Sequence, residues 1–118
     1  MHKLLSSTDH DLLPRLTESG AKPLFVFLHA PWNPISEVMF ATVNRVANTI
    51  ENRLDSRSAE LFYCKLFVDK YNVREIPTYM VFTEGILIGR LTGKVTSEVL
   101  FMFIADSLRK NKRKSLVP

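Results

Sequence analysis

One thiol, three imidazoles and a tryptophan-led loop are the residues in this chain with the most claim to chemistry. The thiol is Cys64, alone in 118 residues. A single sulfur cannot close an intrachain disulfide, form a paired-cysteine motif or build a cysteine-rich zinc site. His2, His10 and His29 are scattered along the chain without metal-ligand spacing. No metal and no cofactor are therefore expected. The loop His29-Ala30-Pro31-Trp32-Asn33-Pro34 follows directly on an apolar run. His29 could serve as a base, but no nucleophile stands near it in sequence, so it reads as a packed, hydrogen-bonded loop histidine. Ser36 reads as a helix N-cap. The remaining chemical feature is electrostatic. The last ten residues hold Arg109, Lys110, Lys112, Arg113 and Lys114 and no acid. Removing those five from the 16 basic residues leaves 11 against 12 acidic ones, so the body is near neutral and the basicity lies in the tail.

The elements that position these residues follow from the apolar pattern. The composition, 46% hydrophobic and 24% charged, is that of one globular domain with a real core, here placed at residues 1–108 with a basic tail at 109–118. Leu4–Ser7 reads as a short strand. Thr8 caps a helix running to about Glu18, with Pro14 inside it. Leu24–Leu28 is apolar throughout and reads as a central strand. A helix follows from about Ile35 to Arg53, with Val38, Met39, Thr42, Val43, Val46, Ala47 and Ile50 as its apolar stripe. Asp55–Ser58 reads as a polar loop and Ala59–Phe67 as the next strand, with Cys64 buried in it. Thr78–Phe82 and Ile86–Leu91 flank a turn containing Gly85. Thr96 caps a last helix that ends near Leu108. The expected fold is α/β, a central mixed β-sheet flanked by helices, in the compact order β-α-β-α-β-β-α.

Two stretches carry a resemblance. Lys22 to Trp32 resembles the strand and loop leading to a thioredoxin active site. Tyr71 to Phe82, with Ile76-Pro77-Thr78 at its centre, looks like the segment around the thioredoxin cis-proline. Gly85 to Gly93 looks like that family's closing strand and terminal glycine. The likeness extends from about Leu4 to Leu108 and implies the thioredoxin fold, with Pro77 cis and Trp32, Ile76, Pro77, Thr78 and Gly93 around a protein-binding groove. It also implies a departure. The family's loop reads Trp-Cys-Gly-Pro-Cys, and this chain reads Trp32-Asn33-Pro34-Ile35-Ser36. Asn33 stands where the attacking thiolate would be and Ser36 where the resolving thiol would be. Neither side chain can enter thiol–disulfide exchange. Phe27 stands at the family's buried acid. The expectation is loss of oxidoreductase activity, hence no enzyme. A helix that the family places before the cis-proline strand is here reduced to a turn, or the preceding strand is short.

The functional expectation is a non-catalytic protein-interaction module, an adaptor, assembly factor or chaperone. It would bind a protein through the former active-site groove or the last helix. Leu100, Phe103, Ile104 and Leu108 suffice for that helix's core face, which leaves Val99, Phe101 and Met102 for a partner, for a homodimer, or for cover by the first strand and helix. An alternative is a residual thiol–disulfide oxidoreductase using Cys64 or a partner's thiol. A further alternative is a nucleic-acid-associated subunit held by the tail. No aromatic interleaves the tail's cations, which disfavours base stacking. No run is long enough to span a membrane, and no leader-like segment opens the chain, so an intracellular, cytoplasmic location is expected, or a nuclear one if the tail is an import signal.

Overall fold

The computed structural model describes residues 4–50 and 53–115, with side chains as far as Lys110. Five strands form one sheet: β1 (Leu4–Ser7), β2 (Leu24–His29), β3 (Asp55–Glu60), β4 (Thr78–Thr83) and β5 (Ile86–Thr92). Four helices flank it: α1 (Asp9–Arg15), α2 (Pro34–Thr49), α3 (Lys65–Lys70) and α4 (Ser97–Ser115). A short 3-10 turn, Leu61–Tyr63, precedes α3. The strand order is β1-β3-β2-β4-β5. The first three strands run parallel, and β4 and β5 are antiparallel to their neighbours. This is the thioredoxin fold.

The centre of the sheet is β2. It is buried along its whole length because helices cover both faces, which is why its sequence is unbroken Leu24-Phe25-Val26-Phe27-Leu28. Alternate residues go to opposite faces. Phe25 and Phe27 join Met39, Val43, Leu100 and Ile104 on the α2/α4 side. Leu24, Val26 and Leu28 join Leu12, Cys64 and Phe67 on the α1/α3 side. The β4–β5 connection is the two-residue turn Glu84-Gly85, with φ of +51° and +76°. Two consecutive left-handed residues match the twist of a hairpin.

Several expectations need correction here. The compact order β-α-β-α-β-β-α counts one strand too few and omits α3. The third strand is Asp55–Glu60, not Ala59–Phe67. The polar segment forms it because Ser56, Ser58 and Ala59 are small enough to be buried between flanking helices, while Arg57 and Arg15 neutralise Asp55 at 2.8 and 2.7 Å. The apolar run after it turns into α3 because Cys64, Phe67, Val68 and Tyr71 fall on one helical face against the sheet. Cys64 is thus buried at the entry to a helix rather than within a strand. α1 ends at Arg15 instead of Glu18. α2 begins at Pro34 and ends at Thr49, and Val38 in its expected apolar stripe is exposed. α4 continues to Ser115, past the expected end at Leu108, so the first tail residues belong to the helix.

Candidate functional site

The loop after β2 is closed by its own side chains. Pro34 is the first residue of α2, where a missing N–H costs nothing and the fixed φ suits the helix. The cap is consequently Asn33, not Ser36: its Oδ1 accepts from the Ser36 N–H at 2.9 Å. Ser36 is fully buried in the first turn of the helix. Its Oγ accepts from the Ala30 N–H at 3.1 Å, and its own hydrogen lies within reach of the Ala30 and Asn33 carbonyls, both at 3.0 Å. Asn33 N–H donates back to Ala30 O at 3.0 Å. Asn33 and Ser36 are therefore the two fasteners of this loop. Trp32 projects from it with 62% of its surface exposed, so it is not folded back against the loop.

The opposing lip is built from the end of β5 and the start of β4. The Ile76–Pro77 peptide bond is cis. Gly93, at φ +95°, donates its N–H to Pro77 O at 3.0 Å, and Tyr79 Oη donates to Gly93 O at 2.9 Å. Thr78 donates its hydroxyl to Glu75 O. Between the lips lies a hollow of about 420 Å³ lined by Asn33, Arg74, Glu75, Ile76, Thr92 and Gly93. Of the expected groove residues, Ile76 and Gly93 line it. Pro77 and Thr78 are buried beneath it, and Trp32 stands outside its lining. Arg74, Glu75 and Thr92 were not expected. Their only signal in the sequence is adjacency to Ile76 and Gly93, while the chain's fold brings them together.

Beside the loop, His29 ends β2. It is buried, stacked on Phe27 with ring centroids 5.3 Å apart, and edge-on to Phe40 at 4.5 Å. Its Nδ1 lies 3.1 Å from a Glu37 carboxylate oxygen. Phe27 is itself fully buried and stacks on Tyr79 at 5.7 Å. This is an aromatic column with one polar end, and it holds no acid.

The thiol is elsewhere. Cys64 lies in the α1/α3 cluster, whereas α2 covers the opposite face of the sheet. Its Sγ is 3.5 Å from Ser7 O. Burial, reinforced by the carboxylates of Asp9, Asp11 and Glu60, pushes the thiol up to about 12. A thiol so placed is protonated at neutral pH and cannot act as a nucleophile in that form. Among the described residues no group of three or more histidine, cysteine or carboxylate side chains could hold a metal ion.

The last helix leaves Val99, Phe101 and Met102 open, at 47, 39 and 51% exposure. The first strand and helix do not cover them. Leu100 and Ile104 are buried and Phe103 and Leu108 pack against the same cluster, as expected. Of the basic residues, Arg109 pairs with Asp106 and Lys110 is exposed. Lys112, Arg113 and Lys114 have side chains outside the described residues. Among the described residues, no helix is long and apolar enough to cross a membrane.

Sheet order, the Trp32 loop at the head of α2 and the lip at Ile76–Pro77 together make up a thioredoxin fold. Comparison with known proteins agrees. The chain is similar to thioredoxin Y1, chloroplastic, of Arabidopsis thaliana, 25% identical over 99 residues, covering 84% of this chain and 58% of that protein. It is also similar to thioredoxin Y2, chloroplastic, of the same plant, 24% identical over 94 residues, covering 80% of this chain and 56% of that protein. The chain thus spans little more than half the length of these relatives. No protein-family model matches it.

Proposed function

We propose that this domain is a thioredoxin-like module without redox chemistry, which binds a segment of another protein between the Trp32 loop and the Ile76–Pro77 lip. The observation that carries the reading is the role of Asn33 and Ser36. Both are engaged as loop fasteners, and neither offers a nucleophile to the hollow. The hollow beside them has polar, charged and apolar walls and an exposed indole next to it, a combination suited to a polypeptide segment. Adaptor, assembly and chaperone roles all rest on such binding. The relatives' names favour a second reading, a thiol–disulfide oxidoreductase. That reading must work through Cys64, which is buried and protonated on the other face of the sheet, or through a partner's thiol.

Two assays separate the readings. Insulin reduction in the presence of dithiothreitol should run at the buffer rate with the native chain. A double variant, Asn33→Cys with Ser36→Cys, serves as the positive control. Turnover by the native chain that disappears in Cys64→Ala would establish the redox reading. The chain has one tryptophan, and it stands at the groove. Its emission should therefore shift to the blue and saturate when a binding segment covers it, and the shift should be lost in Ile76→Glu. If every binding partner leaves Trp32 emission unchanged, the groove is not the binding site.

A further inference from the structure

Asn33 keeps a pair of hydrogen-bond donors in reserve after fastening its loop. Its backbone N–H donates to Ala30 O at 3.0 Å, and its backbone oxygen accepts the Glu37 N–H at 3.2 Å, with the Ser36 hydroxyl in reach at 3.0 Å. Its side-chain Oδ1 accepts the Ser36 N–H at 2.9 Å. The two ends of the carboxamide are fixed by that bond. An N–H is a donor, so only the oxygen can face it, and the NH2 group must lie on the other branch. Among the described residues this is the one hydrogen bond the carboxamide makes. Asn33 is half-buried and lines the hollow of about 420 Å³. With both backbone groups and Oδ1 committed, the polar group it can offer there is Nδ2, with its N–H donors on a side chain already held in one orientation.

Those donors need an oxygen acceptor, and the rest of the lining bears on which kind. Arg74 and Glu75 carry opposite charges, and Ile76, Thr92 and Gly93 carry none, so the net charge of the lining favours neither an anion nor a cation. A polypeptide segment brings one neutral acceptor per residue, its main-chain carbonyl. A carbonyl covered by the groove and left unpaired would count against binding. A donor held in place beforehand meets it with little further loss of side-chain freedom. We infer, on the reading that a polypeptide segment occupies this hollow, that Asn33 grips that segment's backbone: Nδ2 donates to one main-chain carbonyl of the partner while Oδ1 caps α2. Such a contact is indifferent to side-chain type, so the choice among partners falls to Trp32 and Ile76.

The test uses the full chain and a synthetic peptide of about seven residues, acetylated at its N-terminus and amidated at its C-terminus. The peptide comes from a random phage-displayed library panned on the native chain, with binders of Ile76→Glu rejected. Trp32 emission reports its binding. Asn33→Ser and Asn33→Asp both keep an oxygen at the capping position, so their thermal melts should match that of the native chain. Both remove the donors and should weaken the peptide about tenfold or more, Asp further than Ser because it sets a carboxylate against the carbonyl. A thioamide scan, with sulfur replacing one main-chain oxygen of the peptide at a time, separates contact from loop shape. One position should weaken binding to the native chain and have no effect on binding to Asn33→Ser. Native affinity in both variants, with the Trp32 shift retained, would overturn the role of Asn33 and leave the groove reading standing. So would a thioamide profile that is the same for Asn33→Ser as for the native chain. If no library peptide shifts Trp32 emission, the groove reading fails and this inference fails with it.

Discussion

Helix α3 is held at its start by a residue from another helix. Its own cap residue, Cys64, contributes no side-chain hydrogen bond. The Asp9 carboxylate supplies the missing acceptors, one oxygen to the Leu66 N–H and the other to the Phe67 N–H, each at 2.9 Å. Asp9→Ala leaves both N–H groups without this partner. Water can reach the Leu66 site, and the Phe67 site is partly buried, so the loss should resemble that of a good cap, about 1–2 kcal/mol. The first turn of α1 also loses an acid, which adds a few tenths of a kcal/mol. Urea unfolding followed by circular dichroism should show a lower midpoint with an unchanged slope. The informative assay is thiol labelling of the native protein at pH 8. Cys64 lies directly before α3, so opening of that helix uncovers it, and about 1.4 kcal/mol less protection means about tenfold faster labelling. Asp11→Ala is the control. It removes the acceptor for the Thr8 N–H in α1 but touches nothing in α3. The reasoning is refuted if Asp9→Ala and Asp11→Ala, compared at equal loss of global stability, accelerate Cys64 labelling equally.

Three further outcomes are expected. Ser36→Ala strips the buried Ala30 N–H of its acceptor and should lower stability by about 1–3 kcal/mol in chemical denaturation. Gly89→Ala would place a Cβ 2.1 Å from Ser107 Oγ and 3.0 Å from Phe103 Cε1, so α4 must move off β5; a cost of about 1–3 kcal/mol is expected, partly restored by adding Ser107→Ala. Burial opposes ionisation of Asp55, but hydrogen bonds from Arg57 and Arg15 outweigh it and hold the carboxyl below its ordinary value. A depressed acid stabilises the fold above its unfolded pKa, near 3.9, and that contribution fades as pH falls through the folded value. Urea midpoints measured between pH 6 and 3 should therefore fall less steeply in Asp55→Asn than in the native chain.

Much of the architecture is written in local pattern. The apolar run at Leu24–Leu28 had to be a strand covered on both sides, and Glu84-Gly85 had to turn, although Thr83, expected in that turn, ends β4. Thr96 caps α4 as its type suggests, with Oγ1 accepting from the Val99 N–H at 3.2 Å. The failure at residues 55–70 has a physical cause. β3 is polar because its charges are settled by Arg15, a residue 40 positions earlier in the chain, and α3 lacks a local cap because Asp9 provides one from 57 positions away. Neither partner is visible in a short window. Some signals were nevertheless there. Cys64, Phe67, Val68 and Tyr71 have helical spacing, and Asn72, at φ +52°, ends the helix with Val73 N–H bonded back to Val68 O at 3.0 Å. At the candidate site, the replacement residues Asn33 and Ser36 were legible, but their division of labour was not. Proline at the first helical position moved the cap to Asn33 and drove Ser36 inward. Arg74, Glu75 and Thr92 could not be read as neighbours, because only the docking of β5 beside β4 unites them.

The pairing of β1 with β3 sets an order of events during synthesis. Leu4–Ser7 leaves the ribosome ahead of the other four strands, and its register partners Ser56–Ala59 follow some fifty residues later. Until β1 docks, the outer edge of β3 is an open row of backbone donors and acceptors, and any passing strand of suitable length can take the place. Asp9 fastens the same N-terminal segment to α3, so a single docking event closes the sheet edge and locks the helix beneath it. A trimmed chain lacking residues 4–9 would present both defects at once. Exchange of this arm between two molecules would supply the same contacts, and dilution during refolding is the simplest means of suppressing it.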